Sequence, residues 1–472
     1  MATFNSAGSG NANADATWTE AGQPTDADHA IIASGHTVTL TASEAWRSTR
    51  IIGTIAGGGQ TLTLSGASSN KPFDNDGTIT GDLNLVITNT GAQQDGTVVD
   101  MTGSSGNVND LTLNLANGTT ANKTVTLLGA TTLDGNLTIT SGTLDTDSSS
   151  NYALTVTGDC DVLGTLTLNG STVALGALRT QSGAVMSLDA DGTLDLTTGS
   201  TFGGTEGANY SWRNEDGTSD INLGGTTTVS AAGYFEARTA PDYASVLNNL
   251  VWNTNYYWVG NLTIGGTLVV NASKHLQPYA GSKDIVVTGD VTLNGQLTAH
   301  PNGHSDLDNM TFGSLTINSG GAYAATTGTT TITDQSGGGY GWNNAGTFTH
   351  NNGKVTFTDN LNPYIIESTF YDMEINLAQN TSELRSDDIG GAGFTILNDL
   401  TITRGRFKFN TAGDSMTVHG LTKLETNGQF GLNSPSGTHT FNGLVTLNGG
   451  TWFLSSGTNN MAGIRNVGGT IS

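Results

Sequence analysis

Cysteine occurs once in these 472 residues, proline seven times, and lysine and arginine together 16 times. Each scarcity removes a class of protein. A single cysteine, Cys160, forms no intrachain disulfide and builds no cysteine-based zinc site; it reads as a small buried apolar residue. Seven prolines are too few for a proline-rich stalk. Charged residues make up 12% of the chain, against about a quarter in ordinary globular domains. The 16 basic residues face 40 acidic ones, a net charge of −24. That sign repels nucleic-acid phosphates and anionic lipid, so no nucleic-acid partner is expected. No apolar run approaches the ~20 residues of a membrane-spanning helix, so no membrane insertion is expected. The opening MATFNSAGSGNANADATW lacks the basic and apolar regions of a secretory signal.

Glycine is abundant instead, at 66 residues. The glycines punctuate short Leu/Val/Ile/Thr runs that alternate as strands do. GNLTITSGTL from Gly135, GNLTIGGTLVV from Gly260 and NDLTITRGRFKF from Asn398 repeat one theme. Anchors align Leu137 with Leu154, Leu262 with Ile285 and Leu400 with Met416, separations of 17, 23 and 16 residues. Such spacings suit one circuit of a coil of two or three short strands. A longer period overlies them: Tyr210-Ser211-Trp212-Arg213-Asn214 recurs 130 residues later as Tyr340-Gly341-Trp342-Asn343-Asn344. The expected fold is all-β, a right-handed parallel β-helix of on the order of 20 rungs stacked about 4.8 Å apart. Leu137, Leu154, Leu262, Ile285, Leu400 and Ile402 should point inward, and Thr138, Thr155 and Thr263 outward. Threonine and asparagine ladders would bond the outer face without charge, with glycine at corners to permit positive φ. A tandem array of antiparallel sandwiches is the competing architecture.

Residues 1–60 read as an N-terminal cap plus first strands, with Ser43–Thr49 as a turn of helix. Residues 61–201 and 259–472 read as rungs. Residues 202–258 stand apart, holding ten aromatics (Phe202, Tyr210, Trp212, Tyr234, Phe235, Tyr243, Trp252, Tyr256, Tyr257 and Trp258) against 14 Phe, 11 Tyr and 7 Trp in the whole chain. Tyrosine and tryptophan favour interfaces and sugar-binding surfaces. This segment, with the Tyr340–Trp342 corner, is therefore the candidate contact region, and wider rungs with larger core fillers are the alternative.

Other motifs read mainly as turns. Asp-Gly-Thr recurs at Asp76, Asp95, Asp191 and Asp216, as a tight turn with glycine in the left-handed position would. Asp189, Asp191 and Asp195 share one loop and could in principle hold calcium, although no metal or other cofactor is expected. His300 and His304, with Asp306 and Asp308, read as a solvated corner. Glu206, Glu215, Asp216 and Glu236 are carboxylates within the aromatic segment, yet no spacing singles out a catalytic pair.

The runs GNLTITSGTL, LTVTGD, GTFTHNNGKVTF and LNDLTITRGRF resemble the β-helix repeats of filamentous-haemagglutinin-like adhesins and of bacteriophage virion fibre, spike and decoration proteins. The stretch Trp18…Pro24…Asp28-His29-Ala30-Ile31-Ile32 is similar to the cap that opens many such helices. The resemblance implies a non-enzymatic structural or adhesive surface protein, first of all a virion component on the phage particle surface. Its partners would be other virion or surface subunits, a host surface glycan, and further copies in a homo-oligomer. An exported bacterial adhesin and a polysaccharide-degrading β-helix are the alternatives.

Overall fold

The computed structural model describes residues 2–66, 71–88, 97–102, 105–116, 123–200, 209–214, 220–236, 245–279, 283–299, 309–359, 361–366, 368–387, 393–410, 413–432, 437–454 and 457–472. The Leu-Thr-Ile triplets form strands with the inside-outside alternation their pattern dictates: in Leu137–Ser141 and Leu262–Ile264 the apolar residues are buried and the threonines partly or fully exposed. Every strand ladder described is parallel, each strand pairing with strands one turn before and after it. The chain is a parallel β-solenoid whose roughly 17 turns are distributed over two compact units, residues 1–248 and 249–472.

In the first unit an early turn has three strands, Ser48–Ile51, Thr54–Ala56 and Thr61–Leu64. One inward ladder runs Leu62, Leu85, Leu111, Leu137, Cys160, Leu178, Trp212 and Phe235 on successive rungs, each no more than 1% exposed. Burying each such side chain contributes about 1.5–3 kcal/mol, so the core is a column of stacked anchors. The second unit has a corresponding ladder, Leu268, Val291, Leu315, Trp342 and Ile365. Trp342 there stacks on Leu315 as Trp212 stacks on Leu178. The 130-residue repeat is thus a repeated position in the coil. Outside, amide ladders join rungs: Asn109 donates to Asn84 at 2.9 Å and Asn318 to Asn294 at 2.8 Å.

All six expected anchors are buried, between 0 and 2% exposed, and the competing antiparallel array is excluded for the described ladders. Three details differ. Of the three anchor alignments only Leu262–Ile285 is a true rung contact. Leu137 stacks on Cys160, Leu154 on Thr131, and Leu400 on Thr422. A turn carries several near-identical triplets, so a sequence match pairs one face with another. Residues 43–49 hold no helix: Glu44–Trp46 and Ser48–Ile51 are strands, and Trp46 is buried in register with Leu64. Ladder pairing and burial outweigh local propensity there. Near the N-terminus, Asp15–Thr17 form a 3-10 turn.

The third difference concerns glycine. Gly192 closes the Asp189–Gly192 turn, its N–H donating to the Asp189 carbonyl at 3.0 Å, but it is not among the glycines at positive φ. Its requirement is steric. A Cβ on Gly192 would lie 2.8 Å from the Asn169 carbonyl oxygen, one on Gly225 2.2 Å from that of Gly192, and one on Gly176 2.1 Å from that of Gly158. Corner stacks on corner, and glycine is what lets the backbones approach.

Strand pairing begins near the N-terminus. Thr3–Asn5 pairs in parallel with His29–Ile31. On the other side of that strand, Ala7 N–H donates to the Thr17 carbonyl at 2.8 Å and Thr19 N–H to that of Asn5 at 2.9 Å, an antiparallel contact. Trp18 is 4% exposed, packs edge-on against Phe4 and Trp46, and donates its indole N–H to the Ala12 carbonyl at 2.8 Å.

Candidate functional site

The aromatic residues divide by strand alternation into two sets. Trp212, Phe235, Trp252, Trp258 and Trp342 are 0–1% exposed and face the core. Trp212 donates its indole N–H to Thr180 at 3.2 Å, Trp342 to Ser368 at 2.9 Å and Trp252 to the His275 carbonyl at 3.0 Å. The expected contact region therefore divides, some of its rings facing the core and others the outer face. Five are core fillers, because an inward position on a β-rung cannot reach a partner. Tyr210, Tyr234, Tyr256, Tyr257 and Tyr340 are half-buried. Phe202 and Tyr243 lie outside the described residues.

In both units the outer tyrosines are built alike. Tyr210 packs against Tyr234 with tilted rings whose centroids are 5.7 Å apart, and Tyr340 against Tyr364 in the same way at 5.8 Å. Each pair spans adjacent rungs, with a register shift between the tyrosine and the tryptophan two residues on. The shift turns the tyrosine ring outward while the indole stays inside. A guanidinium covers one ring of each pair: Arg213 over Tyr210 at 5.2 Å and Arg385 over Tyr364 at 5.7 Å. Tyr256, Tyr257 and Tyr279 make a third cluster, with ring centroids 6.0 Å apart in both contacts, and Tyr279 is 54% exposed.

Tyr279, Tyr364, Arg385, Asp387 and Lys408 were missed in the sequence. The signal was the rung spacing itself, since Tyr340, Tyr364, Arg385 and Lys408 occupy one outward ladder on four successive rungs. Glu383 orients that strip. It accepts from Arg385 at 2.9 Å and Lys408 at 3.4 Å, with Arg406 3.9 Å away. Tyr340 donates to Asp387. That hydrogen bond to a carboxylate, with burial, pushes the Tyr340 phenol up to about 12.

The other candidates fare differently. Asp189 and Asp191 sit exposed at a turn while Asp195 lies on strand Thr193–Leu196; the three carboxylates do not converge. Among the described residues, Asp74, Asp76 and Asp100 do converge, with ligand atoms within 4.8 Å. Arg50 and Lys71 already occupy that cluster: Arg50 lies 2.9 Å from Asp76, and Lys71 is 2.9 Å from Asp74 and 3.1 Å from Asp100. His300, His304, Asp306, Asp308, Glu206, Glu215 and Asp216 lie outside the described residues, and Glu236 is 4% exposed. Cys160 is fully buried, and burial pushes its thiol up. No helix among the described residues is long and apolar enough to cross a membrane. No protein-family model, curated protein or solved structure matches the chain, so the likeness to virion and adhesin β-helices rests on its style of repeat.

Proposed function

We propose that the chain is a non-enzymatic structural and adhesive element of a biological surface, with a bacteriophage virion as the setting its repeats suggest. The observation that carries this reading is the outward tyrosine pair, found in each unit at the same register position and braced by an arginine in both. Half-buried tyrosines packed against each other lose little entropy when a partner covers them. Their supporting ladders are closed by backbone hydrogen bonds from rung to rung, so the platform is preorganised. Sugar faces and aromatic subunit surfaces are what such rings accept, and we take a surface saccharide as the partner. In this reading the antiparallel Thr17–Thr19 segment is the cover that the edge of a first rung needs.

The test is retention of the purified chain on immobilised surface polysaccharides, compared with Tyr210→Ala/Tyr234→Ala and Tyr340→Ala/Tyr364→Ala variants whose denaturation midpoints confirm folding. Loss of retention in folded variants is expected. Equal retention by the variants, or none by the wild type, overturns the assignment. Release of shortened saccharides on long incubation would replace it with the hydrolase alternative.

A further inference from the structure

In the second unit the tyrosine pair is extended by cations. Its outward ladder reads Tyr340, Tyr364, Arg385, Lys408 on four successive rungs, a strip of about 14 Å at the usual strand spacing. Arg406 flanks it, in register with Glu383. In the first unit the arginines beside the tyrosines are flanked by acids instead: the neighbouring ladder runs Asp161, Arg179, Arg213, Glu236, and Arg179 is held by Asp161, with its Nε donating at 2.9 Å.

Donor supply on the second strip exceeds what its own acceptors use. Three cations, Arg385, Arg406 and Lys408, converge on Glu383, whose side chain is 14% exposed. One carboxylate balances one of them. Asp387, the other carboxylate among the described residues of the strip, accepts from Tyr340 and keeps its charge, so three cations face two carboxylates; Asp388 lies outside the described residues. The side chains of Arg385, Arg406 and Lys408 remain 29%, 30% and 20% exposed, so they are held in place yet reachable. In a chain with 16 basic residues and a net charge of −24, a row of oriented cations beside two packed tyrosines is a local reversal of sign. It complements an anionic ligand that also has a flat apolar face.

We infer that the Tyr340–Tyr364–Arg385–Lys408 strip binds a carboxylate-bearing saccharide, with a ring face against the tyrosines and its carboxylate on Arg385 and Lys408. The inference rests on the adhesive reading and names the ligand class for one of its two sites. Arginine suits the role because its planar fork can keep Glu383 on one side and offer further N–H groups on the other. A neutral sugar would leave those donors to water, which is the source of the preference.

The test measures binding of the full chain to uronic-acid and sialic-acid oligosaccharides, each beside its methyl ester, which removes the charge and keeps the ring. Acids should bind about tenfold or more tightly than esters, with the advantage shrinking as salt rises. Arg385→Gln/Lys408→Gln should collapse the acid-to-ester ratio toward one. Lys408→Arg, which keeps the charge, and Arg50→Gln, which removes a cation elsewhere, should keep it. Acids and esters binding equally overturns the inference and leaves the adhesive reading standing. Failure of every acid and ester to bind also overturns the inference, whereas the adhesive reading is overturned only by the retention test above. Salt-sensitive self-association that the double glutamine variant abolishes also overturns it, and assigns the strip to an acidic face of a second copy.

Discussion

Tyr340 donates its phenolic hydrogen bond to Asp387 two rungs further along the coil, and the strand carrying Tyr364 lies between them. Such a bond clips three successive turns together across the outer face. Tyr340→Phe should cost about 1–2 kcal/mol in urea denaturation, and Asp387→Ala a similar amount. The double variant should cost clearly less than the two single costs added, since both remove one bond. Simple additivity would show that the bond carries no stability.

Glycine stacking gives a sharper contrast. Gly225→Ala places a methyl 2.2 Å from the Gly192 carbonyl oxygen, whereas Gly8→Ala meets nothing within 4 Å. The first should destabilise by about 1–3 kcal/mol through overpacking, and the second should stay within about 0.5 kcal/mol of wild type. Equal denaturation midpoints for the two would remove the steric account of the corner glycines.

These corners also mark how far the sequence could be read. Alternating Leu-Thr-Ile triplets disclose strands, inward anchors and a coil, because alternation is a local property. Register is not local. Leu137 and Leu154 look like equivalent positions, yet Leu137 meets Cys160 and Leu154 meets Thr131, a distinction made by loops that the triplets do not encode. The same limit hid half of the site. Tyr210 and Tyr340 stood out through their tryptophans, but Tyr364, Arg385 and Lys408 become a strip only once rungs are aligned.

Divalent cations should leave stability unchanged. Asp189, Asp191 and Asp195 do not converge, and the carboxylates that do, Asp74, Asp76 and Asp100, are bound by Arg50 and Lys71. Melting temperatures with millimolar calcium and with chelator should agree, and Asp191→Ala should respond no differently. A rise of several degrees in calcium that Asp191→Ala abolishes would place an ion on that loop.

Acid should loosen the second unit through His439. The imidazole is 1% exposed and neither ring nitrogen has a hydrogen-bond partner. It stacks on Phe409 at 4.3 Å and lies edge-on to Phe430 at 6.1 Å, with Met416 and Asn459 in register on the adjoining rungs. Burial lowers its pKa to about 4, against about 6.5 for a free imidazole. The unfolded chain therefore takes up a proton at a pH where the folded chain does not. Stability is unaffected above about pH 6.5, falls between about 6.5 and 4, and levels off below, by up to about 3 kcal/mol. His29 and His275 are also shifted down by burial, and several carboxylates titrate in the same range, so the measurement is a difference. Urea midpoints for wild type and His439→Phe, taken at pH 7 and pH 4.5, should converge at neither pH: phenylalanine fills the aromatic stack without a basic nitrogen, and its advantage should grow on acidification. Parallel pH profiles for the two proteins would mean that His439 finds a partner for its proton in the folded chain.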